Sequence, residues 1–141
     1  MLKYILSTER IIISEALEIR KKVFIEEQGF AEDIDDIDRR ALHLVAFDDD
    51  KPVATGRLYD GSTPDEKHIG RLAVLKGYRS RGIARGIIQF LENEAKGQNG
   101  KMICLSAQQR LCAYYQRLGY SSVGEPYLDE FCPHLKMVKK L

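Results

Sequence analysis

The sequence predicts a mixed α+β domain: a mostly antiparallel sheet with one parallel β–α–β crossover and helices on both faces. Three observations carry this. The apolar stretches Leu42–Phe47 and Pro52–Tyr59 are joined by the turn Asp48-Asp49-Asp50-Lys51-Pro52, an antiparallel hairpin pattern. The stretch Glu66–Leu75 leads through a basic, glycine-bearing loop into a helical pattern and then an apolar run, Lys101–Ser106, which is the order of a β–α–β unit. Helical spacing of apolar residues in 14–28 and again from Ala84 to Ala95 supplies helices for the two faces.

Taken in order, Lys3–Ser7 reads as a short strand. A helix follows over Ser14–Gln28, with Ser14 as N-cap, Leu17, Ile19, Val23 and Phe24 on neighbouring turns, and Gly29 as its stop. Residues 30–41 form an acidic loop with room for one helical turn. After the hairpin, Asp60–Asp65 is a turn into the third long strand. The helix beyond the basic loop buries Ala84, Ile87, Ile88, Leu91 and Ala95 and ends at Gly97-Gln98-Asn99-Gly100. Lys101–Ser106 is almost continuously apolar, as in a strand covered on both faces. Gln108–Leu118 reads as a helix stopped by Gly119, and Tyr120–Tyr127 and His134–Lys140 as closing strands. The predicted order is β–α–β–β–β–α–β–α–β–β.

At 141 residues the chain suits a single domain, residues 1–141, with a real core. A net charge of +1 argues against bulk electrostatic binding of nucleic acid. No apolar run reaches membrane-spanning length, and Met1-Leu2-Lys3 leads into a strand pattern rather than a signal peptide. Cys104, Cys112 and Cys132 lack CxxC spacing and read as reduced thiols of a cytoplasmic protein. Three scattered histidines without ligand spacing give no expectation of a metal site, and His43 and His68 read as structural. Exposed strand edges near the C-terminus would suit a homodimer.

Charge is segregated. Ten acidic and two basic residues lie between Glu26 and Asp50, whereas Lys67–Leu91 holds six basic residues and no acidic one. Within the basic segment, Arg79-Ser80-Arg81-Gly82-Ile83-Ala84-Arg85-Gly86 joins a strand to the first turn of a helix. Unpaired N–H groups and the positive end of the helix dipole suit an anion there. Gly82 and Gly86 lack side chains that would hold a phosphate off the backbone, and Arg79, Arg81 and Arg85 add charge. The residues alone leave two readings: a seat for a phosphate-bearing ligand, or only a tight turn. A dinucleotide-binding unit fails, because no G-x-G-x-x-G or Walker lysine is present and antiparallel hairpins precede the crossover.

The segment Arg79–Ala84 matches an R/Q-x-x-G-x-G/A signature, and Ala113-Tyr114-Tyr115-Gln116-Arg117-Leu118-Gly119-Tyr120 is similar to an A-x-x-F-Y-x-x-x-G-F segment. Both belong to the GNAT superfamily of acetyl-CoA-dependent N-acetyltransferases. The early Ile19–Gln28 and the late Pro133-His134-Leu135-Lys136-Met137 resemble its ElaA/YjcF-like bacterial branch, so the likeness spans nearly the whole chain in the right order.

That resemblance implies acetyl-CoA as cofactor and an amine of a small molecule or peptide as acceptor, with acetyl passing directly between them in a ternary complex. Leu72, Ala73 and Val74 would meet the pantetheine arm, and Arg79, Ser80, Arg81, Gly82, Ile83, Ala84, Arg85 and Gly86 would wrap the pyrophosphate through main-chain N–H groups. Gln108 stands where many members have Asn and would contact the cofactor arm. Tyr115 matches the family's tyrosine, whose phenol can donate to the leaving thiolate, while Tyr114 reads as core. An amine of lysine type must lose a proton, at a cost of roughly 4–5 kcal/mol at neutral pH. Glu27 (or Glu26) and His134 are the candidate bases, with solvated carboxylates and a strand histidine as the plain alternatives. Glu26 and Glu27 are also candidates to bind the acceptor's cation, and the acidic run Glu26–Asp38 would line or overlook the acceptor pocket and favour a cationic amine. A Cys132–His134 nucleophile is disfavoured, since direct transfer needs no covalent intermediate. A GNAT-like module that binds CoA without turnover is the alternative function. Neither nucleic acid nor a membrane is expected as a partner.

Overall fold

The computed structural model describes residues 1–141. Its elements are β1 (Leu2–Ser7), α1 (Arg10–Arg20), β2 (Leu42–Asp48), β3 (Lys51–Asp60), β4 (Glu66–Val74), α2 (Ile83–Gly97), β5 (Met102–Gln108), α3 (Cys112–Arg117), β6 (Ser121–Asp129) and β7 (Cys132–Lys140). All seven strands form one sheet in the order β1-β2-β3-β4-β5-β7-β6. Only β4 and β5 run parallel; every other neighbour is antiparallel. The predicted order of elements and the single crossover are both present.

Two apolar layers hold the sheet. One face packs on α2 through Ile83, Ile87, Ile88, Leu91 and Ala95, which meet Leu44, Val53, Leu58, Ile69 and Ile103. The other packs on α1 through Ile12, Ala16 and Ile19, spaced for one helix face, against Val45 and Ala73. Strands β1 and β6 are the sheet's edges, and β6 is exposed along its whole length.

The first and third predicted helices are corrected. The first helix begins at Arg10, and Ser14 lies inside it, exposed, rather than at its cap. Ser7 Oγ instead accepts the Glu9 N–H at 2.9 Å. The run Ile11-Ile12-Ile13 hides the start, because three β-branched residues favour a strand in isolation while burial of Ile12 favours the helix. The same helix also fails to continue regularly: Lys21–Glu27 is a π-helix. Its wider winding shows in the Gln28 N–H bonding to Val23 O at 3.0 Å, and Gly29 (φ +84°) then turns the chain. The third predicted helix is also shorter. Gln108 ends β5, and a 3₁₀ turn (Gln109–Leu111) precedes α3.

The acidic loop is not simply solvated. Arg20, 1% exposed, donates to Asp33 Oδ2 at 2.8 Å and to both Asp38 oxygens at 2.7 and 3.0 Å. Arg57, equally enclosed, donates to Asp35 and Asp38, each at 2.7 Å. Arg71 reaches Asp33 and Asp35 at 3.0 and 3.2 Å. Three of the acidic residues expected to overlook an acceptor are therefore consumed in pinning the loop to the sheet. The partner arginines hold Asp35 and Asp38 below the usual carboxylate range, against the opposing effect of burial, which is the largest single influence on Asp38.

Candidate active site

Strand β4 carries the site because it is irregular. Opposite β3, Thr55 pairs with Ala73 and Arg57 with Gly70, so β4 holds one extra residue there. Arg71 sits in that bulge at φ +49°, a left-handed conformation costly for a side-chain-bearing residue and held here by its pairs with Asp33 and Asp35. On its other side β4 pairs with β5 only from Glu66↔Met102 to His68↔Cys104. Beyond that the two strands part, and β5 goes on pairing with β7 as far as Gln108↔His134. The result is a wedge-shaped opening in which the last residues of β4 have no strand partner on the β5 side.

A cleft of about 420 Å³ occupies this opening. Leu72, Ala73 and Val74 form one wall; Arg79, Ser80 and Gly82–Arg85 form the next; Tyr115 closes a third. The loop before α2 has the geometry of an anion seat. Ser80 (φ +63°) and Gly82 (φ +79°) are both left-handed, and the backbone N–H groups of Ser80 through Arg85 have no acceptor within the protein. A Cβ on Gly82 would meet nothing within 4 Å. Unpaired main-chain donors in succession at the start of a 15-residue helix fit a pyrophosphate.

Gly86 differs from its expected role. Its N–H is spent on Gly82 O at 3.0 Å, and a Cβ there would run into the Tyr4 hydroxyl. Its lack of a side chain therefore serves the packing of α2 on β1. The arginines divide as well. Arg79 forks onto Glu27 at 2.6 and 2.7 Å while its Nε donates to Val74 O at 2.9 Å. Arg81 lies over the Tyr78 ring at 5.0 Å and does not line the cleft, and Arg85 does line it.

Tyr115 is buried in the wall, and its phenol pKa is raised, chiefly by burial. It makes no hydrogen bond inside the protein, so a protonated hydroxyl stands free to donate into the cleft. Tyr114, read from the sequence as core, is half-buried and lines the same cleft. Glu27 does not line the cleft but pairs with Arg79, which does, and the hydrogen bond from Arg79 is the main influence holding its carboxyl below the usual range. Glu26 is exposed and lines neither this cleft nor the pocket described next.

Gln108 does not line the cleft. It donates to Gln28 Oε1 at 2.8 Å, and Gln28 does line it. On the far side of this pair is a pocket of about 70 Å³ that includes Phe24, Phe30, Glu32, Asp129, Gln108 and His134. The His134 ring stacks on Tyr127 at 6.1 Å and meets the edge of Phe30. Its Nδ1–H donates to Cys132 O at 2.9 Å, which selects the tautomer with an unprotonated Nε2. Cys132 Sγ makes its contact with Pro133 O and none with the imidazole.

Tyr115 and His134 thus come to two neighbouring compartments separated by the Gln28–Gln108 pair. Gln28, Arg110, Leu111 and Asp129 carry no site expectation in the sequence: Gln28 reads as a helix end within the Ile19–Gln28 segment, and no motif gives the others a role.

The likeness to known proteins agrees with this geometry. Residues 12–141 match the family model described as the acetyltransferase (GNAT) domain. YjcF of Bacillus subtilis (strain 168), an uncharacterized N-acetyltransferase, is 34% identical over 132 residues, covering 90% of this chain and 91% of YjcF. An acyl-CoA N-acyltransferase from Pseudomonas aeruginosa superposes with a TM-score of 0.88 at 27% identity over 99% of both chains. Escherichia coli ElaA shares the fold with a TM-score of 0.89 at 24% identity, again over 99% of both chains. The protein is an acyltransferase, and it belongs to the GNAT family of N-acetyltransferases, in the branch of YjcF, whose fold ElaA shares.

Proposed function

We propose that the chain transfers acetyl from acetyl-CoA directly to a primary amine, with both substrates bound at once on either side of the Gln28–Gln108 pair. The observation that carries this reading is the run of acceptor-free N–H groups from Ser80 to Arg85 at one end of the β4–β5 opening, with the Tyr115 hydroxyl in the same cleft. The cofactor supplies the acetyl group as an activated thioester.

The chain's own residues do the rest. Ser80 through Arg85 bind the pyrophosphate through their main chain, and Leu72–Val74 offer backbone to the pantetheine arm. A backbone N–H near Val74 faces the carbonyl oxygen as negative charge develops. The Tyr115 hydroxyl donates to the departing sulfur. In the smaller pocket, His134 Nε2 takes the proton that the ammonium must lose, directly or through water. Glu32 and Asp129 draw a cationic acceptor into that pocket, whose Arg71 is already paired with Asp33 and Asp35. Arg79 already neutralises Glu27 and lowers its affinity for a proton, which favours Glu27 as an electrostatic and positioning group over a base. Gln108, expected on the cofactor arm, is proposed instead to set the boundary between the two ligands. Three free cysteines suit a cytoplasmic setting for this single-domain enzyme.

The test is CoA-thiol release against polyamines, aminoglycosides, amino sugars and peptide amines. Turnover with a cationic amine, reduced in His134→Gln while CoA affinity is retained, is the expected result. Equal turnover in His134→Gln, or no turnover with any amine despite CoA binding, would remove the reading.

A further inference from the structure

We propose that Glu66, His68 and Cys104 form a binding site for a divalent metal ion of zinc type, at the opposite end of β4 from the acetyl-transfer cleft. Glu66 and His68 stand two apart on β4 and so share one face of the sheet. The parallel register then sets Cys104 of β5 directly beside His68. The three donor atoms all lie within 4.8 Å of one another. Glu66 Oε1 is the hub, 2.9 Å from His68 Nε2 and 3.3 Å from Cys104 Sγ.

The donor set is a carboxylate, an imidazole and a thiol, the ligand types that zinc takes with one position left for water. Tetrahedral zinc with ordinary bond lengths would hold such atoms about 3.4–3.6 Å apart. Opening the Glu66–His68 contact by about half an ångström, the Glu66–Cys104 contact by less, and drawing His68 and Cys104 from within 4.8 Å to about 3.6 Å would form the set by side-chain rotations.

The surroundings are built for these groups. The Tyr59 ring stacks on His68 at 5.2 Å and 28°, and Ser62 Oγ reaches the other oxygen of Glu66 at 3.3 Å. Gly61 donates its N–H to Glu66 O at 2.7 Å, closing the turn against the cluster. A Cβ at Gly61 would fall 2.7 Å from His68 Nε2 and 2.9 Å from Glu66 Cδ, so the absent side chain leaves room around the donor atoms. Cys104 is buried while His68 and Glu66 keep 26% and 21% exposure, which gives an ion one open side for entry and for a water ligand. Linear spacing conceals the site because the third ligand comes from the neighbouring strand. An ion here would tie β4 to β5 at the last residues they pair, just before they part to form the cleft.

The test is titration of the untagged, chelator-treated full chain with Co²⁺ as a spectroscopic probe, followed by Zn²⁺ competition and native mass spectrometry. The expected result is one ion per chain, visible d–d absorption of tetrahedral intensity, and a near-ultraviolet sulfur-to-cobalt charge-transfer band that zinc abolishes. Cys104→Ser should remove the band, and Glu66→Gln and His68→Ala should weaken binding at least about tenfold. Cys112→Ser and Cys132→Ser should leave the band intact. Circular-dichroism melts show which variants are folded, and Glu66→Gln, the mildest change at a partly exposed position, keeps the test valid if Cys104→Ser does not fold. Absence of a charge-transfer band in the wild-type chain, its survival in folded Cys104→Ser, or unchanged affinity in Glu66→Gln would each overturn the proposal.

Discussion

Replacing Tyr115 with Phe separates catalysis from binding and folding more cleanly than any other single change in this chain. The Tyr115 ring is only 7% exposed, and Phe keeps almost all of its volume. The hydroxyl has no partner inside the protein, so its removal strands no buried donor or acceptor. Stability should therefore change by less than about 1 kcal/mol, because neither a cavity nor an unsatisfied group is created. The cofactor's phosphates are assigned to the main chain of Ser80–Arg85, so CoA affinity should stay within about threefold, less than 1 kcal/mol. Turnover should fall about 10²–10⁴-fold, the usual worth of a positioned proton donor, equivalent to roughly 3–5 kcal/mol of barrier. Three measurements are needed: CoA-thiol release with an accepted amine, calorimetric titration with CoA, and a thermal melt. If kcat stayed within about twofold of wild type while the protein remained folded, Tyr115 would be a wall residue and no more.

Other outcomes follow from the same geometry. Asp38→Ala leaves Arg20 and Arg57 without a shared buried carboxylate and should cost about 3–5 kcal/mol in urea unfolding. Because the folded pKa of Asp38 and Asp35 lies below the ordinary 3.8, their contribution is present in full above that value and is lost as pH falls below it; acid unfolding should be displaced to higher pH in Asp38→Ala. Gly86→Ala, which helix propensity alone would favour by about 1 kcal/mol, should instead lower the melting temperature through collision with Tyr4, and adding Tyr4→Phe should recover part of the loss. Glu27→Gln breaks an ion pair with both partners 37% exposed, so it should cost about 1 kcal/mol or less and show its larger effect in KM for cationic acceptors. Since Arg79 lowers the Glu27 pKa, that small contribution is complete above the ordinary value of 4.5 and disappears as pH falls below it.

The amino-acid sequence by itself determined the order of elements, the single parallel crossover, the apolar stripe of α2 and the glycine-bearing basic loop at its start. Each is written in short-range pattern: strand-length runs, helical spacing, and glycines in a strand-to-helix turn. The left-handed Gly82 belongs to this local class. The tertiary structure decided the rest, because those features depend on groups far apart in the chain. The β4 bulge is held where Asp33 and Asp35 meet Arg71, and the π-helix after α1 carries Gln28 to Gln108, 80 positions away. Acidic residues that looked like a substrate surface became partners of Arg20 and Arg57, since a buried guanidinium must be met by carboxylates wherever the fold supplies them. The cleft itself exists only because two parallel strands stop pairing after His68 and Cys104, and loss of partnership between distant segments leaves no mark in a local pattern.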